Sequence, residues 1–167
     1  MLNLRKTDLE KDRVRVSLAI DGGDRLNTRE NPHATQLVPN LDDGGLAKHS
    51  RDSLDTILAG RSVGLGLSSA AASFDSRVTT TPRDLEIQLQ LLAALVTDPG
   101  YRPEGEVRYR QAINNYFAQL DATPASALAA RIGGILSDDD PRFSLGNVED
   151  YRHLSYAKLK ADVSDRL

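Results

Sequence analysis

The stretch Thr79–Pro103, TTTPRDLEIQLQLLAALVTDPGYRP, limits the possible folds more than any other part of the chain. Thr81 suits a helix cap and Pro82 a first helical position. Asp84 stands three residues past the cap, where a capping box usually has Glu or Gln. Leu85, Leu89, Leu92 and Val96 then recur at helical spacing, and Asp98-Pro99-Gly100 ends the run. The segment predicts a buried amphipathic helix. Ahead of it, Ser62–Ser69 alternates Val63, Leu65 and Leu67 with Ser62, Gly64, Gly66 and Ser68, and Ala70–Thr79 continues through Phe74 and Val78. A pair of strands is therefore expected just before the helix.

The rest of the chain fills in around this unit. Leu2–Arg5 and Val14–Ile20 alternate with period two and read as neighbouring antiparallel strands joined through Thr7–Asp12. Asp21–Pro32 is a loop, His33–Leu41 a weak helix interrupted by Pro39, and Asp42–His49 a turn through Gly44-Gly45. Ser50 caps a helix whose inner face is Leu54, Ile57 and Leu58. A second long helix spans Glu104–Leu120 with Val107, Ala112, Ile113, Tyr116 and Leu120. Pro124 opens a third, with Leu128, Ile132, Ile135 and Leu136 facing inward. Ser137–Pro141 ends it, and Val148–Tyr151 and Tyr156–Leu167 supply terminal helices. Two strands, two helices, two strands and then helices make an α+β pattern, with no internal repeat and no linker.

Composition removes several function classes. At 167 residues the chain fits one domain spanning 1–167, large enough to hold a core without staples. It has no cysteine, so disulfides, thiolate zinc sites and cysteine nucleophiles are excluded. The net charge of −3 is of mixed sign and aromatics are 5%, which gives nucleic-acid binding no footing. The longest apolar run, Leu91–Val96, is too short to span a bilayer. No dinucleotide fingerprint, P-loop or G-x-S-x-G elbow is present.

The words GGLAKHS, LAGR, TTTPRDLEIQLQLLAALVTDPGYRP and DPRF, in this order and spacing, resemble the pitrilysin/insulinase-type (inverzincin) zinc metalloprotease family. The resemblance runs from Leu4 to the C-terminus. It implies a mixed, mainly antiparallel sheet with helices packed on one face. Members of that family are built from several homologous α+β domains. The first carries zinc, and the others help to enclose the peptide in a chamber between two bowl-shaped halves. The opening NLRKTDLEKDRVRVSLAIDGG resembles the start of the domain that begins the second half. The chain is accordingly expected to be an excised piece of a longer bacterial protease, periplasmic or cytoplasmic. Its expected partners are peptide substrates and either the other domains of that chain or a homologous active subunit. An inactive core subunit pairing with a separate active one is the rival reading.

The family's motif is H-x-x-E-H on one helix, where residues at i and i+4 share a face and hold one zinc while the Glu polarises its water. Matching Leu41 to the aromatic after the motif puts Ala34, Leu37 and Val38 at the His, Glu and His positions. A shift by one brings in His33, but then Gln36 and Leu37 fill the rest. The downstream Glu is checked through Asp121–Pro124, a family landmark, and its position falls on Tyr116. The resemblance thus implies no zinc or other cofactor in this chain, with zinc held in the catalytic domain of the parent.

The other candidates have plainer readings. His33 has no second ligand four residues away, His49 reads as a turn residue and His153 as a solvated one. Asp42, Asp43 and His49 make an ordinary turn composition, and Asp138–Asp140 a helix-terminating loop. Val63, Gly64, Leu65, Gly66 and Leu67 read either as a strand inside the sheet or as an edge that takes an extended peptide.

Overall fold

The structure, a computed structural model, describes residues 3–7 and 10–166. Val14–Asp21 forms β1, in which Val14, Val16, Leu18 and Ile20 are half-buried and Arg15, Ser17, Ala19 and Asp21 exposed. Ser73–Thr80 forms β3, which pairs antiparallel with the whole of β1, from Val14 opposite Thr80 to Asp21 opposite Ser73. One face of this ladder therefore carries Val14/Thr80, Val16/Val78, Leu18/Ser76 and Ile20/Phe74. Ser68–Ser69 forms β2 and pairs antiparallel with Asp75 and Phe74, giving the order β1-β3-β2.

Among the described residues six α-helices follow the expected sequence of elements: α1 (Arg51–Ile57), α2 (Leu85–Thr97), α3 (Pro103–Gln119), α4 (Pro124–Ser137), α5 (Val148–Arg152) and α6 (Tyr156–Val163). The architecture is α+β. Ser50 caps α1 through its hydroxyl, which accepts from the Ser53 amide at 3.2 Å. Val38–Gly44 is a 3-10 segment that feeds Val38 and Leu41 into the core. The core joins this segment to Phe74 of β3, Leu91 and Leu95 of α2, Tyr109 of α3, and Tyr156, Leu159 and Val163 of α6.

The turn after Val38–Gly44 is held by a distant arginine. Gly45 has φ +71 and leaves no space for a side chain, since a Cβ there would sit 2.9 Å from the Ser50 carbonyl carbon. Arg102, at the entry to α3, donates to the carbonyls of Gly44 (3.1 Å), Leu46 (2.5 Å), His49 (2.9 Å) and Ala47 (2.8 Å). The GG and GYRP words of the sequence thus meet in one clamp.

Several expectations need correction. Residues 3–7 hold no strand, and Leu2 lies outside the described residues. The strand expected over Ser62–Ser69 is reduced to Ser68–Ser69. Ile57 faces solvent, and the inner side of α1 is made by Leu54 with Leu58, four residues on, packed against the core. In α2 the buried stripe is Gln88, Leu91, Leu92 and Leu95, so Leu85 and Val96 are only half-buried and Leu89 faces outward. In α3 the inward positions are Gly105, Tyr109, Ile113 and Phe117, spaced by four, while Val107, Ala112 and Tyr116 are exposed. The stripe expected to face inward on α4 is also open, with Ile135 67% and Leu136 80% exposed.

Candidate functional site

The two segments that the motif comparison singles out do meet, at an open groove of about 910 Å³. The segment after Pro32 contributes His33, Thr35 and Gln36, and α3 contributes Tyr116. The far wall is α4 at Ile132 and Gly133, with Arg142 and Phe143 from the loop that follows. A line of rings runs beneath: His33 lies 4.5 Å from Tyr151, Tyr151 5.5 Å from Phe117, and Phe117 5.7 Å from Tyr116. Burial pushes the His33 imidazole below the ordinary histidine range, opposed by the Asp150 carboxylate.

Ala34, Leu37 and Val38, which occupy the His, Glu and His positions in the first register, are buried apolar side chains of the interior. They leave neither nitrogen nor carboxylate oxygen where zinc would need one. In the shifted register His33 and Gln36 line the groove with Tyr116, but this trio offers a single imidazole. Asp24, also at the groove, accepts from the Thr35 hydroxyl at 3.0 Å and the Ser69 hydroxyl at 2.5 Å. Among the described residues no three His, Asp or Glu side chains converge to hold a metal ion. The residues present do not fit zinc.

The remaining candidates have structural partners. The His49 carbonyl closes the Leu46–His49 turn and accepts from Arg102, and the His153 side chain is 82% exposed. Asp42 is tied to Arg51, and its burial raises its carboxyl above the usual range against that cation. Asp138 and Asp139 take positive φ at the end of α4, while Asp140 turns inward to Arg142 (2.8 Å) and Arg29 (3.0 Å). Those hydrogen bonds, Arg142 first, hold the Asp140 carboxyl far below the usual range.

Val63–Leu67 lies outside the sheet ladder, beside β3. Leu67 is buried, and Val63 and Leu65 pack on the core. Gly64 is gripped by the Gln88 amide: its N–H donates to Gln88 Oε1 at 2.8 Å and its carbonyl accepts from Nε2 at 2.9 Å. The start of the segment is tied down as well. The Ser62 amide and Arg61 donate to Asp84 at 3.0 and 3.1 Å, and Thr80 Oγ1 donates to the Ser62 carbonyl at 2.6 Å. The Ser62 amide is the main cause of the lowered Asp84 carboxyl. Sequence reasoning missed Gln88. Its signal was a polar residue four after Asp84 and three before Leu91, inside what proves to be the buried stripe.

Comparison with known folds now bears on this arrangement. The chain superposes on the periplasmic protease PqqL from Escherichia coli with a TM-score of 0.73 at 18% identity, over 95% of this chain and 18% of PqqL. It superposes on an M16 peptidase inactive domain from Pseudomonas fluorescens with a TM-score of 0.74 at 16% identity, over 90% of this chain and 37% of that one. The fold is that of an M16 peptidase domain. The ferredoxin protease FusC, crystallised with Arabidopsis ferredoxin, matches at 0.69 and 18% identity, over 91% of this chain and 17% of FusC. The chain therefore spans less than a fifth of PqqL and FusC. No protein-family model matches it, and no curated protein sequence does. Among the described residues no helix is long and apolar enough to cross a membrane.

Proposed function

We propose that this chain is a non-catalytic domain of a pitrilysin/insulinase-type zinc metalloendopeptidase. It forms part of the peptide-enclosing chamber and of an inter-domain interface, and it has no zinc site of its own. One observation carries the reading: within an M16-type fold, the positions of the motif are filled by the buried apolar side chains Ala34, Leu37 and Val38. Tyr116, at the position of the further ligand, supports the same conclusion from a separate helix. The zinc chemistry then belongs to another domain of the same polypeptide or to a homologous active subunit. The exposed apolar stripe of α4 is the surface expected of a domain that docks on a sibling. FusC in complex with a ferredoxin supports proteins or peptides as the material enclosed by the parent enzyme.

The test is a peptidase assay of the chain alone and with the domain or subunit that carries H-x-x-E-H. No hydrolysis by the chain alone, and chelator-sensitive hydrolysis once the motif-bearing unit is added, is the expected outcome. Chelator-sensitive hydrolysis by the chain alone contradicts the proposal.

A further inference from the structure

α4 is built inside-out. Its sequence, PASALAARIGGILS, holds a single charge, Arg131, which pairs with Asp121 at 3.2 Å. A helix this apolar is normally buried. Here Gly134 is its one buried residue, and the side turned to the body is made of small ones, with Ser126, Ala127, Ala130 and Gly133 half-buried. The bulk lies on the opposite side. At the turn of an α-helix, Ala125, Leu128, Ala129, Ile132, Ile135 and Leu136 fall within an arc of about 120°. All six are exposed. With Leu128 58%, Ile132 41%, Ile135 67% and Leu136 80% exposed, the stripe leaves roughly 450 Å² of apolar surface open, more than half of the about 800 Å² that each side of a standard interface buries.

The ends of the helix carry a second observation. Asp138 and Asp139 follow its C-terminus, both exposed and both at positive φ. They stand at the negative end of their own helix dipole, where acids are unfavourable. The first turn, where acids are favoured, has none. This charge pattern is wrong within one copy and right between two that run antiparallel, because each acidic end then meets the positive end of the other helix. The stripe is self-complementary in the same sense. A two-fold axis at Ile132 sets Leu128 opposite Leu136 of the second copy, Ala129 opposite Ile135, and Ala125 opposite Asp139.

We propose that a second copy of this chain covers α4, the two helices crossing antiparallel about a two-fold axis at Ile132. This rests on the reading of the α4 stripe as a docking face and names its occupant. A sibling domain would also cover apolar surface, but the end charges of α4 match a copy of α4 itself. Ala129 and Ile132 also line the groove, so the seam runs along the outer wall of that groove.

Sedimentation equilibrium of the purified chain and cysteine cross-linking test the assignment, and the absence of native cysteine leaves the introduced thiols alone. An interface of this modest size should leave the chain monomeric near about 1 µM and mainly dimeric near about 300 µM. Ile135→Glu should raise the dimer dissociation constant about tenfold or more. Asp139→Lys should raise it a few-fold, an effect that fades in high salt. On oxidation, Ile132→Cys should cross-link to itself, since the axis brings the two positions together. Leu128→Cys alone should not, because its two copies stand about 12 Å apart along the pair, beyond the reach of a disulfide. Mixed with Leu136→Cys, it should cross-link. A monomer at every concentration, a dimer indifferent to Ile135→Glu, or ready self-cross-linking of Leu128→Cys would overturn the proposal. So would a monomeric chain whose α4 amides are protected by the motif-bearing unit instead, a result that gives the face to a sibling and keeps the chamber-wall reading. Hydrolysis of peptide by the chain alone would refute that reading and leave the dimer measurable.

Discussion

Replacing Gln88 by leucine removes two hydrogen bonds while keeping a side chain of similar bulk in the same place. Gln88 is fully buried, and both of its bonds go to the backbone of Gly64, at 2.8 and 2.9 Å. Each bond contributes about 0.5–1.5 kcal/mol, and a group left buried without a partner costs about 1–3 kcal/mol. Gly64 is only half-buried, so water recovers part of the loss, and leucine buries no amide. We expect Gln88→Leu to destabilise the chain by about 2 kcal/mol, read as a lower urea midpoint at unchanged slope. Gln88→Glu adds a sign. The acid keeps one oxygen for the Gly64 amide, but only its protonated form can donate to the Gly64 carbonyl. Its carboxyl in the folded state then titrates above the unfolded value of about 4.3. The folded state binds more protons between those two values, so the variant's stability is regained as pH falls through that window and is full below it. A loss under about 0.5 kcal/mol in Gln88→Leu, or a Gln88→Glu variant no better in acid, would refute the grip of Gln88 on this segment.

Other perturbations follow from the same geometry. Gly105→Ala gains about 1 kcal/mol of helix propensity, yet its Cβ would sit 2.7 Å from the Gly44 amide nitrogen and 2.9 Å from the Asp43 carbonyl carbon. Net destabilisation of about 1–3 kcal/mol is expected, and a stabilised variant in thermal unfolding would contradict that packing. Arg102→Lys keeps the charge but not the fork that reaches four carbonyls, and should lose about 1–3 kcal/mol, measured by urea unfolding. Leu136→Glu on α4, at a position 80% exposed, should leave stability within about 0.5 kcal/mol, read by urea unfolding; a large loss of stability would show that the stripe is packed. The lowered His33 means the unfolded state takes up the proton first, so stability falls as pH drops below the ordinary histidine range. His33→Phe should flatten that part of the stability profile.

The strongest words of the sequence mark the parts that the structure keeps. TTTPRDLE leads into α2, but the helix begins at Leu85 with Asp84 at its cap, three residues later than a Thr81 cap would place it, and the Thr81 hydroxyl accepts from the Asp84 amide at 3.2 Å in the turn before it. The alternation in Val14–Ile20 appears as β1. What was not legible depends on tertiary contact. In Thr79–Pro103, leucines occupy both possible stripes of α2, and the choice is made by Gln88, whose burial is decided by Gly64 rather than by hydropathy. The same contact explains why Ser62–Ser69, with strand alternation throughout, pairs only at its last two residues. The periodicity of α4 is real, but periodicity states that a face is apolar and not that this chain covers it. At the groove, the sequence placed Ala34, Leu37, Val38 and Tyr116 at the motif positions, and only the fold separates them into three interior side chains and one groove residue.

The central proposal is that this domain, whose fold is similar to that of M16 peptidase domains, carries no zinc centre, and metal content measures it most directly. Elemental analysis of the purified, tag-free chain should find no bound zinc, and calorimetric titration no affinity tighter than roughly micromolar, about −8 kcal/mol. One zinc per chain, lost on replacing His33 or His49, would contradict the account and place the chemistry in this chain.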